Sequence, residues 1–225
     1  TMDFMVTITA AVRRGAPTAC LIADMPFLSY QVSKEEAIRN AGRFIIEAGS
    51  DIIKIEASEA QLDTIKAVSD ADISVMAHIG LRPQSISKTG KLKAEATSAQ
   101  PAADLVDLAG KMVDAGASSL LLEGTAREVA KIITDRVNVP VISCGSGPDC
   151  DGQILLLSDI LGLSRGPAPK FSKNYTSLSP TIIQALQTYK KEVEDRAFPD
   201  DKHSYHIKKD ELEKLEKLIH EREIF

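Results

Sequence analysis

Five side chains in this sequence have the types and spacing to do chemistry together: Asp24, Lys54, Glu56, His78 and Glu123. They stand at the ends of four successive apolar runs. Lys54 and Glu56 are two residues apart, so on a strand they project from the same face. One cation beside one carboxylate can hold an anionic substrate next to a metal ion. Glu123 follows Leu120, Leu121 and Leu122, and a carboxylate partly stripped of water by such neighbours suits the general base of a proton abstraction. Plainer roles stay open at this point. Asp24 can cap the turn at Pro26, His78 can be a satisfied buried imidazole, and any strand-end carboxylate can be half of an ion pair. The turn Gly145-Ser146-Gly147 can cradle an anion with its N–H groups or be tight-turn geometry. Four strand ends that all carry ionisable groups favour a shared site.

The elements that must position these groups are legible as apolar runs of four to eight residues alternating with longer helical patterns. That is the mark of repeated β-α units on a parallel sheet. Six strands are predicted: 19–23, 52–55, 74–77, 119–122, 139–143 and 153–157. Their continuous apolar character implies helices covering the outer face. Ser33 with Glu36, Ser58 with Gln61 and Thr125 with Glu128 have capping-box spacing, and Gly49 and Gly116 suit helix C-termini. Gly49 and Gly116, and likewise Glu56 and Glu123, are separated by 67 residues. This weak internal repeat fits a barrel, and a doubly wound sheet would also show it. Residues 1–14 have the pattern of an amphipathic helix. Beyond Pro199 the composition shifts, and a charged C-terminal helix is predicted with Leu212, Leu215, Leu218 and Ile219 on one stripe. The expected organisation is a barrel catalytic domain over 1–198 and a tail over 199–225.

Composition bounds the function. A chain of 225 residues with 44% hydrophobic content fits one sizeable domain. No stretch approaches the roughly 20 apolar residues of a membrane span. A net charge of -5 offers no basic face for nucleic acid. The odd number of cysteines, Cys20, Cys144 and Cys150, without a metal-type pair, points to a reducing compartment and hence a cytoplasmic setting.

The strings Ala23-Asp24-Met25-Pro26-Phe27-Leu28-Ser29-Tyr30-Gln31, Lys54-Ile55-Glu56, His78-Ile79-Gly80-Leu81-Arg82-Pro83-Gln84-Ser85, Leu122-Glu123 and Asp151-Gly152-Gln153-Ile154-Leu155 follow in order. Together they closely resemble the ketopantoate hydroxymethyltransferase family of the phosphoenolpyruvate/pyruvate barrel superfamily. The resemblance runs from Thr1 to about Tyr205. It implies a (β/α)8 barrel whose first two strands are not in this chain. It also implies hydroxymethyl transfer from 5,10-methylenetetrahydrofolate to 3-methyl-2-oxobutanoate through a magnesium-stabilised enolate, and a homo-oligomer, a decamer in the family. Carried over position by position, Asp24 resembles a magnesium ligand at the substrate, and Glu56 the second acidic metal-site group, direct or through water. Lys54 looks like the contact for the substrate carboxylate, Glu123 like the general base, and His78 like a polar positioning group.

Four departures accompany the resemblance. The family's Gly-Asp-Ser metal motif belongs to strands not in this chain. The glycine-rich loop after Pro83-Gln84-Ser85 reads Lys91-Leu92-Lys93-Ala94-Glu95-Ala96-Thr97. Ser158 stands where a histidine is common, and Gly124-Thr125 replaces a Cys-Val type turn. Two alternatives stay open: another metal-dependent carbon–carbon lyase or hydrolase of the superfamily, and a non-catalytic paralogue.

Overall fold

The computed structural model describes residues 1–90, 93–164, 166 and 168–222. Helix α1 (Met2–Gly15) leads to β1 (Ile22–Asp24), followed by α2 (Lys34–Ala48), β2 (Ile52–Glu56), α3 (Leu62–Ser69) and β3 (Val75–Gly80). The short α4 (Ile86–Thr89) and long α5 (Ala99–Asp114) precede β4 (Ser119–Glu123), α6 (Arg127–Arg136), β5 (Val141–Cys144), β6 (Gly152–Gln153) and α7 (Leu157–Ile160). Helices α8 (Leu178–Glu194) and α9 (Lys209–Glu221) complete the described chain. Two compact units result. One runs from Thr1 to Asp159 and takes in Arg165–Lys173; the other comprises Ile160–Ser164 and the chain from Asn174 onward. The second unit therefore begins before the composition change at Pro199.

All six strands are parallel and pair in the order β1-β2-β3-β4-β5-β6. A doubly wound sheet reverses its strand order at one point; this one never does. Because crossovers between parallel strands share one hand, an unreversed order keeps the crossover helices on one face, so the sheet curls as in a (β/α) barrel, with six staves among the described residues. The ambiguity left by the internal repeat is settled in favour of the barrel.

Strand alternation then divides the apolar side chains into two cores. Ala23, Ile53, Ile55, Val75, Ala77, Ile79, Leu120, Leu122 and Val141 join the main core with Phe44, Ile65, Met112 and Ile133 from the helices. Each fully buried Ile, Leu or Phe contributes roughly 1.5–3 kcal/mol. On the opposite face Met76, Leu121 and Cys144 cluster with Ile22, Ile52, Ile142 and Phe171. This inner face also carries every ionisable strand-end group singled out above.

The predicted boundaries need several corrections. β1 starts at Ile22, because the carbonyl of Leu21 is taken by the N–H groups of Asp51 and Ile52 before ladder pairing begins. β3 extends to Gly80, since the His78-Ile79-Gly80 segment is itself strand. β6 is confined to Gly152–Gln153, and Leu157 opens α7 instead of closing a strand. Of the capping boxes, the one at Ser58 and Gln61 is fully formed. Ser33 accepts from the Glu36 N–H at 3.1 Å. The third is absent: Ala126 occupies the N-cap of α6, and Thr125 turns its N–H to Ser146 Oγ instead. Gly49 caps α2 in the left-handed conformation. The charged C-terminal helix is α9, and its last predicted residues, 223–225, lie outside the described residues.

Gly80 carries a specific structural demand. Its φ is +90°, and a Cβ built there would lie 2.6 Å from both the Glu123 carbonyl oxygen and Thr125 Oγ1. Strain at positive φ and forced displacement of β4 add together. Gly80→Ala is expected to destabilise the protein by about 2–5 kcal/mol, read as a lower urea midpoint. An unchanged midpoint would show that the end of β4 has room to yield.

Candidate active site

The register explains how groups distant in sequence meet. Asp24 pairs with Lys54 across β1 and β2, Glu56 with His78 across β2 and β3, and Gly80 with Glu123 across β3 and β4. Each strand is parallel to the next, so all these groups gather at the carboxyl end of the sheet, the end where barrels of this type carry their chemistry. Asp24, Lys54, Glu56, His78 and Glu123 all have the same alternation parity as Met76 and Leu121 and so belong to the inner face.

Two charge pairs result. Lys54 Nζ lies 2.5 Å from Asp24 Oδ1, with the lysine side chain 17% exposed and the aspartate 44%. Asp24 thus faces Lys54 rather than capping the turn at Pro26, where Ser29 N and Oγ bond the proline carbonyl. His78 is buried, and its Nε2 is 3.2 Å from Glu123 Oε2. The pair lacks the alignment of a good hydrogen bond, and Nδ1 is buried with no partner. A satisfied core histidine would have its ring nitrogens bonded; this one does not.

Glu56 is held differently. Its Oε2 accepts from the Gln84 N–H at 2.7 Å and its Oε1 from Ser85 Oγ at 2.8 Å. Gln84 continues the network, donating from Nε2 to the Met25 carbonyl at 2.9 Å and accepting at Oε1 from the Tyr30 hydroxyl at 2.8 Å. The Tyr30 oxygen is also 3.2 Å from the Glu56 carbonyl. Burial, then the nearby Glu56 and Asp24 carboxylates, push the phenol well above its ordinary range, so it keeps its proton and remains a donor. Tyr30, Gln84 and Ser85 have no periodicity or spacing to mark them as a network; their only signal in the sequence is membership of the recognised strings.

Beside Glu123 stands Cys144, its register partner on β5. Burial first, and the Glu123 charge second, push its thiol up to about 11, so at neutral pH it is a small apolar wall. Gly145-Ser146-Gly147 proves to be a structural turn. Ser146 is fully buried, its N–H donates to Ser143 Oγ at 3.0 Å, and its hydroxyl donates to the Leu122 carbonyl at 2.8 Å. Of the divergent loop, Lys91 and Leu92 lie outside the described residues. Glu95 bridges to Thr125 in parallel fashion, with its N–H on the Gly124 carbonyl at 2.8 Å, so the loop lies against the exit of β4. Ser158 lies within α7.

The oxygen donors suit a hard divalent cation of the magnesium type, which commonly takes one or two carboxylates and completes its shell with water and substrate. Asp24 supplies a half-buried carboxylate at the mouth, its Oδ1 buried against Lys54; Glu56 has both oxygens engaged but retains free lone pairs for a water-mediated contact. Among the described residues no group of three or more His, Cys, Asp or Glu could hold a metal ion.

A family model described as ketopantoate hydroxymethyltransferase matches residues 1–201. Among curated relatives, the 3-methyl-2-oxobutanoate hydroxymethyltransferase of Syntrophomonas wolfei is 44% identical over 215 residues, covering 96% of this chain and 78% of that protein. The enzyme of the same name from Pelobacter propionicus is 46% identical over 205 residues, covering 91% and 76%. Among solved structures, 2,3-dimethylmalate lyase, a PEP mutase/isocitrate lyase superfamily member, aligns with a TM-score of 0.53 at 16% identity, covering 91% of this chain and 70% of that one. Phosphonopyruvate hydrolase aligns with a TM-score of 0.52 at 14% identity, covering 100% and 77%. These last two share the fold.

Proposed function

This chain belongs to the ketopantoate hydroxymethyltransferase family, and from that premise we propose how its residues divide the work of moving a hydroxymethyl group onto 3-methyl-2-oxobutanoate to give ketopantoate. The overall reaction consumes the 2-oxo acid, 5,10-methylenetetrahydrofolate and water, and releases ketopantoate and tetrahydrofolate. The observation that carries the reading is the juxtaposition of the Lys54–Asp24 pair with the His78–Glu123 pair on one inner face.

Lys54 holds the substrate carboxylate, its ammonium already oriented by Asp24. Glu123 takes the C3 proton, and the electron pair left behind moves toward the 2-oxo oxygen. His78, against Glu123 Oε2, fixes the rotamer of the base and offers its unpartnered nitrogen to a substrate oxygen. When bound, magnesium would sit on Asp24, with Glu56 behind it through water, and supply Lewis-acid stabilisation of charge on that oxygen. Gln84 and Tyr30 hold Glu56 and the end of β1 in place. Water adds to the donor's methylene carbon and the two carbon–nitrogen bonds break, releasing tetrahydrofolate and leaving the one-carbon unit at the oxidation level of formaldehyde; C3 bonds to that carbon, and the resulting alkoxide takes back the proton that Glu123 removed.

The lyase or hydrolase alternative draws only on structures of 14–16% identity, which speak to fold. We place the activity in the cytoplasm, in keeping with three free cysteines; no described helix is long and apolar enough to cross a membrane. Exposed Phe4, Ile8 and Val12 on α1 support a homo-oligomeric assembly.

The function is tested by incubating the protein with 3-methyl-2-oxobutanoate, 5,10-methylenetetrahydrofolate and magnesium. Ketopantoate should form, and chelation should abolish it. Folate-independent cleavage of a 2-oxo or 2-hydroxy diacid in place of ketopantoate formation would overturn the assignment.

A further inference from the structure

Glu123 is the last residue of β4, and the chain turns out of the strand at Gly124, in the left-handed conformation at φ +57°. Glycine has more backbone conformations open to it than any other residue, so local sterics alone do not hold this turn. We propose that Ser146 is the positioning residue for the Glu123 carboxylate, its single hydroxyl closing the turn around the base; this rests on the role of Glu123 as the base that takes the C3 proton.

The direction of a side chain is set by the two peptide groups that flank its Cα. The group after Glu123 is held on both sides: its carbonyl accepts from Leu81 N–H at 2.8 Å, and its N–H, that of Gly124, donates to the Cys144 carbonyl at 2.9 Å. The group before Glu123 carries the Leu122 carbonyl, which accepts from Ser146 Oγ at 2.8 Å. Beyond Gly124 the next N–H, that of Thr125, donates to the same Ser146 Oγ at 3.0 Å. One atom therefore ties the start of the turn to its end, with the base between.

The chemistry of these two bonds demands a hydroxyl. It has one proton and acceptor lone pairs, so giving the proton to Leu122 leaves it the acceptor that Thr125 requires. Ser146 is fully buried and Thr125 is 4% exposed, so bulk water does not replace a lost partner, and a buried N–H left unbonded keeps its full desolvation penalty. The brace is itself anchored. Ser146 N–H donates to Ser143 Oγ at 3.0 Å, on another fully buried residue. Phe171 lies against Gly145 and Arg127 against Gly147, so close that an added Cβ on either glycine would collide.

The carboxylate held in this way is 17% exposed and stands 3.2 Å from His78 Nε2. Reacting groups must be placed within about 0.5 Å of the productive geometry, and a displacement of about 1 Å can cost 100-fold in rate. Asp24, Lys54 and Glu56 belong to β1 and β2, which β3 separates from β4. Loss of the brace should therefore fall on proton transfer and spare the binding of substrate and metal.

In Ser146→Ala, exchange of the C3 proton of 3-methyl-2-oxobutanoate with deuterated water at saturating substrate and magnesium should slow roughly 10- to 100-fold. The substrate and magnesium concentrations that give half-maximal exchange should stay within about two-fold of those of the parent, the pattern of an interaction that matters in the transition state. Should the alanine variant not fold, Ser146→Cys, which fills the space with a weak donor and weak acceptor, has the same expected outcome. Exchange at the parent rate in a folded variant overturns the assignment. So does a loss of rate accompanied by a rise in both half-maximal concentrations, which marks a general loosening of the sheet. A parent protein that exchanges no C3 proton is a different result: it overturns the role of Glu123 as base, and this assignment with it.

Discussion

Glu123→Gln is expected to slow exchange of the C3 proton of 3-methyl-2-oxobutanoate with deuterated water by roughly 100-fold or more, the usual effect of losing a positioned base. The substitution keeps the size of the side chain and leaves an oxygen facing His78 Nε2, but it cannot take up the proton. The backbone carbonyl of residue 123, which accepts from Leu81 N–H at 2.8 Å, is untouched, so the strand end should stay in place. Exchange is followed by NMR with substrate and magnesium and no folate, which isolates the first chemical step from carbon–carbon bond formation. A loss confined to this rate, with substrate and magnesium affinity near those of the parent, identifies Glu123 as the base. Exchange at the parent rate would make Glu123 structural, and His78, whose nitrogen stands 3.2 Å away, would become the next candidate.

Asp24→Asn is expected to weaken magnesium binding by more than the 10- to 100-fold typical of losing a residue that merely supports a ligand. Activity should fall with it. The reasoning is electrostatic. Asparagine preserves volume but removes the negative charge that attracts a hard cation, and it also removes the counter-charge of Lys54, a side chain only 17% exposed. The uncompensated ammonium then repels the metal more strongly than before. Calorimetric titration with magnesium alone measures the first effect, and the magnesium concentration needed for half-maximal proton exchange measures it again in the working enzyme. Unchanged affinity in both assays would remove Asp24 from the metal site.

Much of this architecture is legible in the amino-acid sequence because parallel strands buried on both faces must be apolar throughout. An ionisable residue at the end of such a run is therefore conspicuous. The spacing of Lys54 and Glu56 also conveys a shared face, since strand periodicity is two. Other features depend on register, which no local pattern contains. Glu123 and His78 face one another only because β3 and β4 are neighbours, with Gly80 rather than His78 as the register partner of Glu123. The choice between a barrel and a doubly wound sheet likewise lies in strand order alone. Thr125 misleads because its spacing to Glu128 fits a cap, while the tertiary contact with Ser146 Oγ claims its N–H. β6 is overextended because Ile154 to Leu157 are apolar, whereas the ladder ends where Ile154 N–H meets the Ser143 carbonyl. Glu56 is the subtlest case: its position leaves open whether it meets a metal directly or through water, and only the tertiary structure reveals that Gln84 and Ser85 already bond both its oxygens.

The primary amide of Gln84 has a consequence for how this sequence can drift. Its nitrogen must give a proton to the Met25 carbonyl, and its oxygen must receive one from Tyr30. A glutamate of the same shape would set a second acceptor against that carbonyl, and a lysine would offer no acceptor for the hydroxyl proton. Phenylalanine at position 30 would leave the amide oxygen unsatisfied. Positions 30 and 84 are thus readable only as a matched set, like two halves of a complementary code. A change at either position alone leaves a mismatched pair until the other changes with it.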